Sequence, residues 1–324
     1  MPSADLTGQE ACPTAYNQRK MQFVLVALVV CLATAAELPL GQVPPGKTFL
    51  VVLSHHDDHT WEWGFGGFIA RLTEAGWNGW FVRTTNDEKD GPPEWGRNDQ
   101  VNLREAREAA QHLGLKDVIS LNWRNDHSDS VPIQGLRQQF VFLIRQYRPD
   151  VVMTWNAWGH YDRNPDHRKV ARAMGEAVWM AGLANVHPEH LAAGLKPHRV
   201  PFVYLTQRGD YGKGHTPNIV MELSAEQVRR KGEAYWAHKN VLNTPAEARS
   251  IRQQLAAQGQ YIPELERLSD ERAIEQLRKW QMEYASRQGG ARGGVRYGEA
   301  FFFRDEWDHV PGLRDYIQAN ARPR

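Results

Sequence analysis

Short apolar runs alternate with amphipathic segments through the middle of the sequence. The first run, Thr48–Leu53, has the length of a strand, and such a continuous run is typical of a strand buried on both faces of a parallel sheet. The alternation predicts an α/β fold with a doubly wound, mostly parallel sheet. Further strands are predicted at 79–85, 117–122, 149–155, 200–206 and 218–223, and helices at 67–75, 101–113, 136–147 and 167–181.

The pattern becomes helical in the C-terminal third of the chain. We predict a single domain over residues 36–324, in which residues 225–295 form a helical cap or extension of the α/β fold. The predicted elements there are helices at 225–240, 245–258 and 270–287, a glycine-rich loop at 289–294 and a last strand at 297–303.

An apolar run near the N-terminus, residues 21–36, predicts a secretory signal peptide. Residues 18–20 (Gln-Arg-Lys) give the run a basic flank, and the run is short for a bilayer span, which needs about 20 residues. Residues 33–35 (Ala-Thr-Ala) fit the small-residue cleavage site of such a signal. We therefore expect residues 1–35 to be removed and the mature protein to be secreted or periplasmic. A buried core helix is the alternative.

The composition excludes several classes of protein. Lys and Arg total 39 against 38 Asp and Glu, so no strong overall field favours nucleic acid or an anionic membrane surface. Two cysteines exclude a disulfide framework and a cysteine-ligated zinc ribbon, and loss of residues 1–35 would remove both. No later run is long enough to span a membrane.

Histidines and aspartates cluster where the first and fourth predicted strands end. Residues 54–59 read SHHDDH, and residues 164–168 read NPDHR. Because the carboxyl ends of parallel strands meet at one edge of a sheet, the two clusters can lie together. His55, Asp58 and His167 would then offer three ligands to a metal ion with a position left open for water. From spacing alone, ordinary helix caps or surface pairs remain the alternative.

Five segments of the chain resemble, in order, the motifs of one known family. Residues 51–59 (VVLSHHDDH) are similar to the strand and AHPDDE motif of the PIG-L (LmbE-like) N-deacetylases, and residues 164–171 (NPDHRKVA) are similar to their HPDHR segment. Together the five segments cover most of residues 48–303. The other three are the helical segment Glu105–Gly114, the K-x-x-A-x-x-x-H segment Lys231–His238 and the Y-x-E-A-F segment Tyr297–Phe301.

The resemblance implies a zinc-dependent hydrolase with a Rossmann-like fold. It carries the family's zinc ligands onto His55, Asp58 and His167, its general base onto Asp57, and a supporting aspartate onto Asp166. The implied reaction removes the N-acetyl group from an amino sugar or glycan of the N-acetylglucosamine type. Ligation by histidine and carboxylate would also admit Fe²⁺, Co²⁺ or Mn²⁺.

Three positions depart from the family's motifs. His56 replaces the proline, His59 replaces the glutamate, and Asn164 replaces a histidine thought to stabilise the oxyanion or act as an acid. Asn164 can donate a hydrogen bond but cannot transfer a proton at neutral pH. We therefore expect His160, in the same loop, to be the acid. Tyr161 is an alternative, and so is a surface position for His160 without a catalytic role.

The expected partner is a small-molecule or glycan substrate, without nucleic acid; the oligomeric state stays open. Tryptophans concentrate near the predicted strand ends and favour a carbohydrate, since aromatic faces stack on sugar rings. Two other readings remain: an amidase acting on a non-sugar N-acyl substrate, and a non-catalytic sugar-binding relative. A dinucleotide-binding oxidoreductase is disfavoured because Gly64–Gly67 lies too far beyond the first strand for a tight phosphate-binding turn. The tryptophans are Trp61, Trp63, Trp80, Trp95, Trp123, Trp155 and Trp158.

Overall fold

The predicted apolar runs form the strands of one sheet in the computed structural model, which describes residues 37–93, 96–126, 130–157, 162–206, 217–305 and 313–323. The strands are β1 (Thr48–Leu53), β2 (Asn78–Thr85), β3 (Asp117–Trp123), β4 (Val151–Trp155), β5 (Phe202–Thr206), β6 (Ile219–Glu222) and β7 (Gly298–Asp305).

Helices connect the strands and follow the sheet toward the C-terminus. The connecting helices begin and end close to the predicted positions, although α2 and α3 begin three residues earlier than expected and α4 begins two residues earlier. The helices are α1 (Gly66–Glu74), α2 (Asn98–Leu113), α3 (Ile133–Tyr147), α4 (Pro165–Met180), α5 (Pro188–Ala192), α6 (Ala225–Trp236), α7 (Pro245–Ala257), α8 (Pro263–Glu266), α9 (Asp270–Ala291) and α10 (Leu313–Asn320).

The strand order confirms the predicted α/β fold class. The strands of the sheet lie in the order β3-β2-β1-β4-β5-β7-β6, and β1 to β5 pair in parallel. The chain winds outward from β1 through β2 to β3 and then returns to β4 on the other side of β1. This reversal creates a crevice at the carboxyl ends of β1 and β4, the position where doubly wound sheets bind ligands.

The far edge of the sheet is antiparallel. Strand β7 inserts between β5 and β6 and runs antiparallel to both. The sequence predicted a last strand here, but its direction and neighbours depend on the long helical excursion that precedes it.

The predicted glycine-rich loop at 289–294 is partly wrong, because helix α9 continues to Ala291. Glycine is needed there for close packing rather than for flexibility. A side chain on Gly289 would bring its Cβ to 2.2 Å from the carbonyl oxygen of Gly298, and one on Gly290 would bring it to 2.6 Å from that of Val295. The two glycines therefore let the end of α9 lie directly against the start of β7.

The C-terminal helices are tied to the sheet by a buried ion pair. Lys231 of α6 donates from Nζ to Glu299 Oε1 of β7 at 2.8 Å, and both side chains are almost fully buried. Glu299 also accepts the backbone N–H groups of Gly67 and Phe68 at the start of α1. A carboxylate is favourable at a helix N-terminus. Lys231 Nζ further donates to the carbonyl oxygen of Glu62, which fixes the loop after β1.

Among the described residues, no helix is long and apolar enough to cross a membrane.

Candidate metal centre

The loop after β1 folds around the carboxylate of Asp58. Asp58 Oδ2 accepts the backbone N–H groups of Ser54 at 3.1 Å and His55 at 2.7 Å, a local arrangement that turns the chain at the strand end. His167 lies in the first turn of α4, which follows β4. Because β1 and β4 are neighbours in the sheet, both segments reach the same crevice.

The structure brings together His55, Asp58 and His167, the three side chains predicted as ligands. His55 Nδ1 lies 3.1 Å from His167 Nε2 and 3.4 Å from Asp58 Oδ2, and His167 Nε2 lies 3.4 Å from Asp58 Oδ1. Ligand bonds of about 2.0–2.1 Å in a tetrahedral site separate neighbouring donor atoms by about 3.3–3.4 Å. The donor set therefore fits a divalent metal ion. All three side chains are buried.

Two aspartates bind the outer nitrogens of the histidine ligands. His167 Nδ1 lies 2.7 Å from Asp162 Oδ2, and His55 Nε2 lies 3.3 Å from Asp166 Oδ2. Each carboxylate favours the tautomer whose proton faces it, which leaves His55 Nδ1 and His167 Nε2 as lone-pair donors. Asp166 was predicted as a supporting residue. Asp162 was not predicted as a supporting residue. Its position five residues before His167 was the signal in the sequence that could have pointed to it.

The electrostatics of the pocket favour a cation. Burial opposes charge on His55 and His167, yet Asp58 and the carboxylates hydrogen-bonded to each imidazole outweigh burial and raise the pKa of both histidines. Burial likewise opposes the charge on Asp58, but the two imidazoles hold the pKa of Asp58 well below its usual value. Without a metal, the carboxylates therefore favour protonated histidines. The same negative potential would attract a divalent metal ion.

Asp57, the predicted base, is buried, and contacts from neighbouring residues hold it in place. Its Oδ2 accepts a hydrogen bond from Trp61 Nε1 at 3.0 Å, and its Oδ1 lies 3.9 Å from His56 Nδ1. Thr60 donates from both its backbone nitrogen and its hydroxyl to the Asp57 carbonyl oxygen. These contacts fix the Asp57 backbone and one carboxylate oxygen.

Asn164, the residue at the family's acid position, caps helix α4. Its Oδ1 accepts the N–H of Asp166 at 2.9 Å, and its own N–H donates to Asp162 Oδ1 at 2.9 Å. With Pro165 in the first turn, this is a strong helix start. The amide nitrogen of the Asn164 side chain is not used in the cap. His160, the predicted acid, lies outside the described residues, as does Tyr161.

The sequence comparisons agree with the geometry. Residues 50–178 match the family model described as PIG-L, GlcNAc-PI de-N-acetylase. The predicted resemblance to the PIG-L (LmbE-like) de-N-acetylases is confirmed. The PIG-L match extends from β1 to α4 and so contains every residue of the metal centre named above.

A curated protein and two solved structures resemble the chain. The diacetylchitobiose deacetylase of Thermococcus kodakarensis is 31% identical over 183 residues, which cover 55% of this chain and 64% of that protein. The N,N′-diacetylchitobiose deacetylase structure from Pyrococcus horikoshii has a TM-score of 0.61 at 23% identity and covers 84% of this chain and 89% of its own. The structure of the 4-carboxy-2-hydroxymuconate hydratase of Pseudomonas putida has a TM-score of 0.56 at 16% identity, and the match covers 80% of this chain and 96% of the hydratase. These structures show the fold, which supports more than one reaction.

His56 and His59, which replace residues of the PIG-L motif, lie beside the metal centre with His238 of the Lys231–His238 segment. All three are fully buried, and the rings of His56 and His238 meet edge to face at 5.1 Å. His59 stacks on Phe81 of β2 at 4.0 Å. Burial lowers the pKa of His59 to about 3 and holds the pKa of His238 well below its usual value. Both imidazoles are therefore neutral at neutral pH.

His56 differs from these two because it contacts a carboxylate. Its backbone N–H donates to Asp87 Oδ2 at 3.0 Å, and its Nδ1 lies 3.4 Å from the same oxygen. Burial lowers the pKa of His56, but Asp57 and Asp87 outweigh burial and raise it to about 9. His56 thus brings a positive charge next to Asp57.

An aromatic wall borders the candidate metal centre. Trp155 stacks on His167 with ring centroids 4.1 Å apart, and Trp63 lies 5.0 Å from Trp155 and 6.4 Å from His167. Trp61 stacks on Trp63 at 5.5 Å with nearly parallel planes. Two other tryptophans of the predicted group lie elsewhere. Trp80 packs on Tyr147, and Trp123 donates a hydrogen bond from Nε1 to Gln139 Oε1. Trp95 and Trp158 lie outside the described residues.

Proposed function

We propose that the chain is a metal-dependent hydrolase that removes the N-acetyl group from an N-acetylglucosamine-type amino sugar or glycan. The observation that carries the proposal is the convergence of three ligand side chains, whose nearest donor atoms lie 3.1–3.4 Å apart in each pair, within the PIG-L match. The named activity of the Thermococcus relative supports the same substrate class. That relative is matched over 64% of its length, so its activity enters here as part of the proposal.

His55, Asp58 and His167 would hold the ion, with Zn²⁺ as the first choice and Fe²⁺, Co²⁺ or Mn²⁺ as alternatives. A bound ion of this kind lowers the pKa of a coordinated water and polarises a carbonyl oxygen. Asp162 and Asp166 are positioning residues, because each orients one histidine ligand through its outer nitrogen.

Asp57 is the proposed general base. Its carboxylate accepts a proton from the attacking water, and the hydrogen bond from Trp61 Nε1 keeps it oriented. The free side-chain nitrogen of Asn164 donates a hydrogen bond to the developing oxyanion. The departing amine requires a proton that Asn164 cannot supply, and His160 is the proposed donor.

Acetate release tests the activity directly. The purified protein is incubated with N-acetylglucosamine, its di- and trisaccharides and a panel of N-acyl amino acids, each with and without a chelator. The proposal expects acetate from the sugars, loss of activity with chelator, and recovery when zinc is added. Release from the N-acyl amino acids alone would support a non-sugar amidase, and sugar binding without turnover would support the non-catalytic reading.

The proposed location is secreted or periplasmic, with residues 1–35 as a cleaved signal and residues 36–324 as the mature domain. Residues 1–36 lie outside the described residues, so the proposal rests on the sequence pattern. N-terminal sequencing of the protein from its producing cell should begin at Ala36 or Glu37. A cytosolic protein that retains Met1 would refute this location.

A further inference from the structure

A second cleft adjoins the metal centre and shares Trp63 with it. The cleft has a volume of about 560 Å³, within the range of small-molecule sites. Its walls are the loop after β1, the end of β5, strand β7 and helix α9. The proposed chemistry at the metal uses none of the α9 residues.

One face of α9 supplies most of the polar groups in this cleft. Gln281, Tyr284 and Gln288 follow one another at helical spacing, so their side chains share a face, and Arg292 caps the end of the helix beside them. Two small residues, Ala285 and Gly289, also line the cleft and leave room between the larger side chains. Tyr284 is 67% exposed, which makes its ring an accessible flat surface on a rigid helix.

The lining groups suit a neutral ring that carries hydroxyl and amide groups. Tyr284 offers an aromatic surface for the apolar face of a sugar, whereas the Trp63 ring is stacked on Trp61. Gln281 and Gln288 offer amide donors and acceptors, and Gln281 Nε2 is already held by Glu62 Oε2 at 3.2 Å. The charged side chains that line the cleft are one acid, Glu62, and one base, Arg292, so the lining has no net charge.

Trp63 connects the cleft to the reacting group. Its ring lies 6.4 Å from the ring of His167, and its carbonyl oxygen accepts a hydrogen bond from the Thr206 hydroxyl, which fixes the loop at the end of β5. Trp63 therefore borders both the cleft and the candidate metal centre.

We propose that this cleft is a distal subsite, which binds the sugar units next to the N-acetylglucosamine that is deacetylated. The inference rests on the proposed function and makes it more specific, because the enzyme then acts on chains of two or more units in preference to the monosaccharide. Tyr284 and Gln288 are the specificity-determining residues.

Steady-state kinetics on N-acetylglucosamine and its β-linked trisaccharide test the subsite. The parent protein should favour the trisaccharide by at least about tenfold in kcat/KM, which corresponds to one good stacking contact. Tyr284→Ala should remove most of that ratio by raising KM for the trisaccharide, without lowering its kcat. Tyr261→Ala is the matched control, because Tyr261 is equally exposed at 68% and does not line the cleft.

A binding measurement separates this inference from the proposed function. Trisaccharide titration of the Asp57→Asn protein, followed by tryptophan fluorescence, requires no turnover. If Tyr284→Ala weakens this binding about tenfold while the parent protein releases no acetate, the subsite is supported and the proposed activity is refuted. Acetate release with no chain-length preference, or a Tyr284→Ala loss that is equal for both sugars, would refute the subsite alone.

Discussion

The outer nitrogen of His167 lies 2.7 Å from the carboxylate of Asp162, five residues earlier in the chain. Asp162 also accepts the backbone N–H of Asn164, the residue that caps α4. The same carboxylate therefore sets the tautomer of a proposed metal ligand and anchors the start of the helix that carries it. This coupling means that substitution of Asp162 tests the candidate metal centre while all three proposed ligands stay in the chain.

Asp162→Asn should weaken metal binding by about 10–100-fold, since loss of a carboxylate partner lowers the basicity of a histidine ligand. Competition with a zinc chelator of known affinity measures the change. Asp117→Asn is the control, because its side chain is 61% exposed and lies at the start of β3. Unchanged affinity in Asp162→Asn would mean that the Asp162 carboxylate does not strengthen metal binding through His167.

Three single alanine variants, at His55, Asp58 and His167, should each lose the bound metal. A three-ligand site that loses one donor retains too few to hold an ion against a chelator. Metal content per chain, measured on dialysed protein by plasma mass spectrometry, gives the result. His112→Ala, on the exposed side of α2, should keep its metal. Full occupancy in all three variants would exclude this site.

Asp57→Asn should keep its metal and lose about 10²–10⁴-fold in kcat, because the amide has nearly the same shape but cannot accept a proton. Asp57 makes none of the short contacts that join the three proposed ligands, so metal content should stay at the parent level. Acetate release and metal content are measured on the same preparation. Near-normal turnover would assign the base to another residue.

The fold and the proposed ligands could be predicted because both depend on local sequence. The apolar run of β1 and the polar residues after it fix which side chains stand at the strand end. Parallel pairing then brings His167, after β4, to the same edge. Asp162 was missed because its contact with His167 depends on the path of the loop, which no periodic pattern specifies.

Long-range contacts explain what the sequence did not reveal. The rings of His56 and His238 touch although 182 positions separate them, and that contact requires α6 to pack beside α1 and α2. The cleft beside Trp63 likewise needs α9 to lie along the end of β5 and strand β7. The extension of α9 through Gly289 was mispredicted because glycine in a sequence indicates a turn more often than close packing.

His160→Ala should lose at least about tenfold in kcat with unchanged metal content, because Asn164 cannot protonate the departing amine. The alkaline limb of the pH profile should also disappear, since that limb would report the loss of the imidazolium proton. Steady-state rates across pH, alongside metal analysis, test both effects. Activity equal to the parent would mean that another group, such as Tyr161 or protonated Asp57, gives the proton to the departing amine.

His238 should make the folded protein less stable in acid. It is fully buried, and burial together with His56 and His59 holds its pKa well below the value of about 6.5 in the unfolded chain. Below about pH 6.5 the unfolded state therefore binds more protons than the folded state, so the free energy of unfolding falls as the pH is lowered.

His238→Gln should reduce that slope by up to about 1.4 kcal/mol per pH unit between about pH 6 and pH 5, the contribution of one proton. Urea unfolding at each pH measures the slope of the free energy of unfolding against pH. A loss of stability that is the same at all pH values does not change this slope. His112→Gln, with a half-exposed side chain, should leave the slope unchanged. An identical slope in His238→Gln and the parent would mean that His238 takes up its proton without unfolding, and that its contact with His56 opens in acid.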